Sequence, residues 1–369
     1  MQRPKSPPST DPLIPHLSGQ LVFLAGHPHL LRFPDTSIST VHMTAIRSAA
    51  PGTLSEQFDA LANGTIASPL SQYGLIRFSG EETAAFLNGQ LSSDVRTLPY
   101  EQAQYSSYST PKGRMQASFL VWRDGDDYLL QIAAELQTAI QKRLSMFVLR
   151  AKTKASDANA DYLNIGIAGP KAADVLAKVA GGVPTDALAV LHGDALTVIA
   201  LSENRYQLIA RADQSQVIWD ALQQAGVQPA GEDVWRLTEI RAGAPWVTAA
   251  TQEEFVPQMA NMELIGAVSF TKGCYPGQEI VARTQYLGKL KRRMFRVHIG
   301  TDAAAAGNDV YSPEMNGQAS GKLLLAAPAP QGGIEALVVV QTASLEHGLH
   351  LGSVDGPALE VLALPYEVA

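Results

Sequence analysis

Cysteine is nearly absent from this chain of 369 residues: Cys274 stands alone. One thiol forms no internal disulfide and cannot by itself hold a Cys-rich metal centre. It fits a reducing compartment, and a cytoplasmic location is the expectation on that ground. No apolar run approaches the ~18 residues that a membrane-spanning helix needs, so no membrane partner is expected. Charged residues make up only 17% of the chain, and acids outnumber bases, 35 Asp and Glu against 28 Lys and Arg. The resulting net charge of −7 excludes a global nucleic-acid footprint. Familiar catalytic motifs are missing as well. There is no G-x-S-x-G, no Walker lysine loop and no paired histidine motif for a metal. The run Gly166-Ile167-Ala168-Gly169-Pro170-Lys171 lies at a strand-to-helix turn but lacks G-x-G-x-x-G, and reads as a tight turn.

What is present fits a soluble globular chain: 46% hydrophobic residues, enough for a sizeable core. The length suits two or three domains at roughly 100–200 residues each. Residues 1–42 are rich in Pro, Ser and His without a sustained period, and read as a disordered or untranslated extension with Met43 as an alternative start. From Tyr73 the pattern sharpens. Residues 75–78 read as a strand, and Ser79-Gly80-Glu81-Glu82 has capping-box spacing ahead of a helix carrying Phe86, Leu87, Leu91 and Val95. Strands follow at 104–109, 117–122 and 128–133, the last two joined by a hairpin at Arg123-Asp124-Gly125-Asp126-Asp127. A helix over 135–148 and a strand near Lys152 close the unit.

A second block repeats the order: a strand at 162–168, a helix opened by Pro170, a hairpin around Glu203-Asn204, and a helix capped by Asp213 and stopped by Gly226. Two successive β-α-β-β-α-β units predict two ferredoxin-like modules. A helix over 232–242 follows. After Gly288 short alternating segments, beginning with Phe295, Val297 and Ile299, predict a small antiparallel barrel.

The lone thiol sits in Lys272-Gly273-Cys274-Tyr275-Pro276-Gly277-Gln278-Glu279. The glycines permit a sharp turn or a close ligand approach, and Lys272 with Arg283 would favour the reactive thiolate. A small buried hydrophobe is the plain alternative for a free cysteine. Directly after it come Lys289, Lys291, Arg292, Arg293 and Arg296, a basic cluster in an acidic chain. It reads either as a solvated strand edge or as a docking site for a polyglutamate tail, a phosphate or RNA. Strand alternation would send Lys291 and Arg293 to one face and Arg292 to the other. That pair is then expected to form a rim that steers a polyglutamate tail or a client's acidic surface.

These residues carry a resemblance. The stretch Phe255-Val256-Pro257-Gln258-Met259-Ala260-Asn261, Ile265-Gly266 and the run from Ser269 to Arg283 with its K-G-C-Y-x-G-Q-E signature resemble the YgfZ family of folate-binding proteins. So do Phe78-Ser79-Gly80, the 86–95 segment, Lys112-Gly113-Arg114, Arg241-Ala242-Gly243 and Leu364-Pro365-Tyr366. The family is related to the T-protein of the glycine cleavage system, a tetrahydrofolate-dependent aminomethyltransferase. The resemblance implies two ferredoxin-like domains and a C-terminal barrel around a central folate channel. It also implies a function in supporting iron–sulfur enzymes, tRNA-methylthiolating ones included. Two aromatics associated with folate map to Tyr73 and Trp235, Tyr73 standing where the family has tryptophan.

Two departures stand out. The acidic pair of the T-protein falls on Gln116 and Ala117, which removes the carboxylate that aminomethyl transfer requires. The glutamate that can grip the pterin ring is Arg241, and a cation cannot accept the pterin N–H donors.

The resulting expectation is an α+β fold: an extension over 1–48, a first module over 49–156 to which 232–286 returns, a second over 157–231 and a barrel over 287–369. Function is expected to be folate-dependent assembly or repair of iron–sulfur clusters in client enzymes. Cys274 would be the reactive group and Lys272 would hold its charge state. Tyr73, Trp235, Arg241, Gln278, Glu279 and Arg283 would line the cofactor site. The cofactor would be tetrahydrofolate or a derivative, with Cys274 as a transient iron ligand or cluster holder. Partners would be iron–sulfur client or assembly proteins, with any nucleic-acid contact indirect. Two alternatives stay open: a folate-dependent one-carbon transferase, which an acid brought near Gln116 would favour, and a non-enzymatic RNA-binding or client-binding adaptor.

Overall fold

A capping box opens the first helix. The Thr53 hydroxyl accepts from the Glu56 N–H at 3.3 Å, and the Glu56 carboxylate accepts from the Thr53 N–H at 2.8 Å. Helix α1 (Leu54–Asn63) leads into β1 (Ile66–Pro69), β2 (Tyr73–Ser79), α2 (Thr83–Asn88), β3 (Gln104–Ser109), β4 (Met115–Asp124), β5 (Asp127–Ala133), α3 (Ala134–Val148) and β6 (Lys154–Asp157). The computed structural model describes residues 43, 44, 46, 52–286, 288 and 290–368. The extension read over residues 1–42 lies outside them. Met43 and Ile46 are buried in the core of the second sheet, so part of the stretch assigned to the extension packs on the fold.

The first sheet has the order β3-β4-β5-β2-β6 with every neighbouring pair antiparallel. The hairpin read at residues 123–127 is present, with Asp124 opposite Asp127. Helix α2 is shorter than its pattern predicts. It ends at Asn88 because Leu91 is drawn into a bridge with Tyr108, and the Ser92 N–H donates to the Ser107 carbonyl at 2.9 Å. The predicted capping box at its start does not form: the Glu82 carboxylate instead accepts from the Lys152 N–H at 2.6 Å.

The chain continues through β7 (Tyr162–Ala168), α4 (Ala172–Ala180), β8 (Val190–His192), β9 (Leu196–Ser202), β10 (Arg205–Arg211), α5 (Ser215–Gln224) and β11 (Gln228–Pro229). The second sheet runs β11-β1-β7-β10-β9-β8. Strand β1, within the stretch assigned to the first module, thus belongs to this sheet, antiparallel to β7 and parallel to β11. Helix α4 begins two residues after Pro170. Asp213 lies in a short 3₁₀ turn before α5 and makes no side-chain cap.

Helix α6 (Glu232–Arg241) follows, then a long loop segment and α7 (Gln278–Tyr286). The last sheet comprises β12 (Arg292–Ile299), β13 (Asp309–Tyr311), β14 (Ala319–Pro328), β15 (Ile334–Gln341), β16 (His350–Leu351) and β17 (Leu359–Leu362) in the order β16-β13-β14-β15-β12-β17. Its two edge strands meet through a bridge between His350 and Ala358 and through the Leu359 N–H on the Leu349 carbonyl at 2.9 Å. No helix among the described residues is long and apolar enough to cross a membrane.

Helix α6 positions the site. Val234, Trp235, Leu237, Thr238, Glu239 and Ile240 are all buried, so the helix lacks the single apolar stripe of a surface helix. It packs on β14 and β15 on one side and on β1 and β7 on the other. The approach to β7 is close because Gly166 has no side chain: a Cβ there would sit 2.3 Å from a Trp235 ring carbon. Gly166→Ala is therefore expected to destabilise the protein by about 1–3 kcal/mol through overpacking. Gly300→Ala, where a Cβ meets nothing within 4 Å, should stay within about 0.5 kcal/mol of wild type. Urea-unfolding midpoints of the two variants check this; equal midpoints would show that the α6–β7 contact yields freely.

Candidate functional site

The carboxylate of Glu239, on α6, is 2% exposed and gathers side chains from two sheets. The Tyr73 hydroxyl, from β2, lies 2.7 Å from both of its oxygens, and Trp235 Nε1 donates to Oε1 at 2.9 Å. Arg205, from β10, brings a guanidinium nitrogen to 3.8 Å of Oε1 and donates through Nε to the Thr238 hydroxyl at 3.1 Å. Burial pushes the Glu239 pKa above the usual carboxylate value, against the pull of Arg205, Tyr73 and Trp235. Burial and the adjacent Glu239 push the Tyr73 hydroxyl well up, so it remains a donor.

Beside this cluster lies a cavity of about 630 Å³. Tyr105, Leu188, Ser202, Asn204, Arg205, Thr238 and Arg241 are among the residues that line it. Arg241 is held from outside the cavity by Glu335 of β15, at 2.7 Å, and Glu335 also takes Arg296 at 2.8 Å. These two arginines hold the Glu335 carboxyl below its ordinary value, although burial opposes them.

The two aromatics expected in the cofactor site converge on Glu239 and neither lines the 630 Å³ cavity; Tyr73 borders a separate one of about 290 Å³ together with Trp246. Trp235 is 0% exposed, with Gly166 against its ring and the Arg205 guanidinium 5.1 Å from its centroid. Tyr73 packs on Trp246 with ring centroids 4.4 Å apart. The sequence reading missed Trp246, Tyr105, Arg205 and Glu239. Glu239 sits two residues before Arg241 on α6, and a carboxylate in that otherwise buried helix was the available signal.

The cysteine motif is a separate place. Gln278, Glu279 and Arg283 belong to α7, and none of them lines the cavity. Gln278 holds the loop by accepting from the Tyr275 N–H at 3.3 Å. Glu279 and Arg283 lie on the solvent side of α7, at its acidic start and basic end, where both suit the helix dipole. Cys274 is exposed, which removes the buried-hydrophobe reading.

Lys272 does not reach out to the thiol. Its ammonium donates to the carbonyls of Asn88, Leu91 and Ser93, the last at 2.9 Å, at and just beyond the end of α2. Three donors meet three acceptors, so Lys272 is a strut that ties the loop to the first sheet. Gly277 (φ 83°) and Gly113 (φ 74°) then pack together: a Cβ on Gly277 would lie 2.7 Å from the Gly113 Cα. The K-G-R turn and the cysteine loop, 160 residues apart in sequence, are thereby one structure.

An acid does come near Gln116. Gln116 Nε2 donates to Glu253 Oε1 at 2.7 Å, and Glu253 adopts a left-handed backbone (φ 63°) that an L-residue rarely takes. The basic cluster, in contrast, is divided. Arg293 turns inward to a buried pair with Glu263, and Arg296 to Glu335, so neither belongs to a steering rim. Lys291 and Arg292 share one groove because Lys291 precedes the strand and alternation does not reach it. Lys289 lies outside the described residues.

Comparison with known proteins fixes the class first. Residues 33–272 match the model of the GCVT N-terminal domain family. The structure superposes on the glycine cleavage system aminomethyltransferase T from Bartonella henselae with a TM-score of 0.72, covering 89% of this chain and 96% of that one, at 15% identity. This likeness establishes the mixed α+β fold. Among curated proteins, the tRNA-modifying protein YgfZ of Colwellia psychrerythraea is 32% identical over 76% of this chain and 87% of its own length. That of Sodalis glossinidius is 28% identical over 81% and 92%. The chain belongs to the YgfZ family.

Burial lowers the Lys272 pKa to about 8, with Asp94 opposing the fall and Arg96 adding to it. An unfolded chain would hold that proton to about 10.5, the ordinary lysine value. Between the two values the unfolded state binds more protons, so this residue makes stability rise with pH over that window. Urea midpoints of wild type and Lys272→Met, followed from pH 7 to 10, should therefore diverge in favour of wild type. A constant difference would mean that the three carbonyls keep Lys272 charged throughout.

Proposed function

We propose that this protein binds tetrahydrofolate or a derivative in the 630 Å³ cavity and supports tRNA modification by assembling or repairing iron–sulfur clusters in client enzymes. The observation that carries the reading is the cavity wall itself. Its size lies in the range of small-molecule sites, Tyr105 offers an aromatic face, and Arg205 and Arg241 offer guanidinium groups for carboxylates. A folate has both an aromatic body and an anionic tail, so the residues present fit it. When bound, folate supplies one-carbon chemistry. This chain's part is to hold it against α6 with the buried Glu239 fixing Arg205. The exposed Cys274 would meet a client's iron or sulfur on the outside of the protein, away from the cavity. The relatives' name, tRNA-modifying protein, supports the choice of clients.

The first two sheets are read as ferredoxin-like modules and the third as a small barrel. In support, the first contains the antiparallel run β6-β2-β5-β4 with β3 added at the edge. The second repeats it with β1 inserted between β11 and β7.

One observation favours a second reading, one-carbon transfer: Glu253 places an acid against Gln116, where the sequence has none. Neither residue lines the cavity, which puts the binding and client-support reading ahead.

Anaerobic titration with tetrahydrofolate, followed by tryptophan fluorescence, tests the proposal. Wild type should show saturable quenching. Ser202→Trp, which fills the cavity from its wall, should weaken binding at least tenfold with an unchanged circular dichroism spectrum. Equal affinity in the filled variant would place the ligand elsewhere. Loss of tRNA modification in a Cys274→Ser complementation strain, with folate binding intact, would support the role of the thiol.

A further inference from the structure

Lys112, Arg114, Lys291 and Arg292 line one groove of about 570 Å³. They come from two distant parts of the chain: the K-G-R turn and the entry to β12. Among the described residues no acidic one lines the groove, in a chain with a net charge of −7. Among the described residues none of the four forms an ion pair, whereas Arg293 and Arg296, their neighbours in sequence, are neutralised inside the fold. Arg114 is oriented by donating to the Glu254 main-chain carbonyl. Besides the cations the groove is lined by the apolar Val256, Met259, Ile280 and Leu290, and by Thr284 and Gln341. Ile280 belongs to α7, and Gly277 just before that helix packs on Gly113 between two of the cations, so the groove adjoins the cysteine loop. Tyr286, at the far end of α7, is 69% exposed.

We infer that this groove is a docking site for an RNA phosphodiester backbone. Unpaired cations without a competing carboxylate attract a polyanion. The apolar floor and an exposed tyrosine suit the sugars and base faces between phosphates. The groove shares no lining residue with the cavity, so it does not extend the folate site. The inference rests on the tRNA reading above and adds to it direct contact between this protein and the RNA, at the surface that carries Cys274.

The test is fluorescence anisotropy of the full chain with labelled tRNA between 50 and 200 mM KCl. Lys112→Glu, Lys291→Glu and Arg292→Glu, combined, should weaken binding at least tenfold at 50 mM. The slope of log affinity against log salt should fall by about 2–3, since each of three lost phosphate contacts removes ~0.7–0.9. An equal charge change at exposed sites elsewhere, Lys142→Glu with Arg150→Glu and Lys178→Glu, should leave both quantities close to wild type. Equal losses in the two variants would overturn the groove in favour of a diffuse field. Tighter binding of poly-L-glutamate than of tRNA at matched charge and salt would assign the groove to an acidic polypeptide and overturn the RNA reading. No RNA binding by wild type would overturn the inference outright. Tetrahydrofolate titration of the same triple variant, expected to match wild type, keeps this outcome separate from that of the cavity.

Discussion

The burial of one carboxylate constrains the rest of the molecule. Glu239 sits in the interior on a helix packed on two sides, and an ionised group there is tolerable only when its oxygens are occupied. Tyr73 brings β2 to it, Arg205 brings β10, and Trp235 closes the ring from the same helix. Removing any one of these would leave a buried polar group short of a partner, which is more damaging than the pair itself is stabilising. The network thus fixes how the first and second sheets meet within the hydrophobic core that they share.

A second carboxylate does the same for the third sheet. Glu335 on β15 holds Arg241 of α6 and Arg296 of β12, so the C-terminal sheet is tied to the same helix. Helix α6 is therefore clamped through its last turn, by Glu239 to the first two sheets and by Arg241 to the third. The cavity borders the end of this helix at Thr238, Arg241 and Ala242, and its two cationic wall residues, Arg205 and Arg241, are each held by one of the two carboxylates. Rigid support of this kind is what a binding site for a small anionic aromatic requires.

The chemistry outside the cavity is arranged differently. The cysteine loop stands on main-chain contacts: Lys272 on three carbonyls, Gly277 on Gly113, Gln278 on the Tyr275 N–H. None of these reaches the thiol, which is left open to solvent and to partners of any size. A small molecule in the cavity and a macromolecule at the loop can thus be engaged at different surfaces of one rigid frame.

Much of the fold was legible because it is local. The hairpins at Gly125 and Asn204, the alternation of β12 and the extent of α6 follow from turn chemistry and period, which act within a few residues. The exposure of Cys274 does not: a buried thiol was an equal reading until the fold left it at the surface. What the sequence alone could not determine depends on pairings across long separations. Helix α2 stops early because Leu91 finds Tyr108, and β1 joins the second sheet because Ile66 finds Ala168 and Gln228. Lys272 reads as the thiol's partner until three carbonyls claim its charge. Trp235 reads as a ligand platform until Gly166 and Arg205 cover it. Lys291 and Arg293 read as one outer rim until Glu263 draws Arg293 inward, as Glu335 does Arg296. Residue types, local elements and the family motif were set by the chain's own order. Which charges are neutralised, which rings are covered and which glycines touch was decided only by the tertiary structure, because a buried charge takes its partner from whatever the fold brings within a few ångströms.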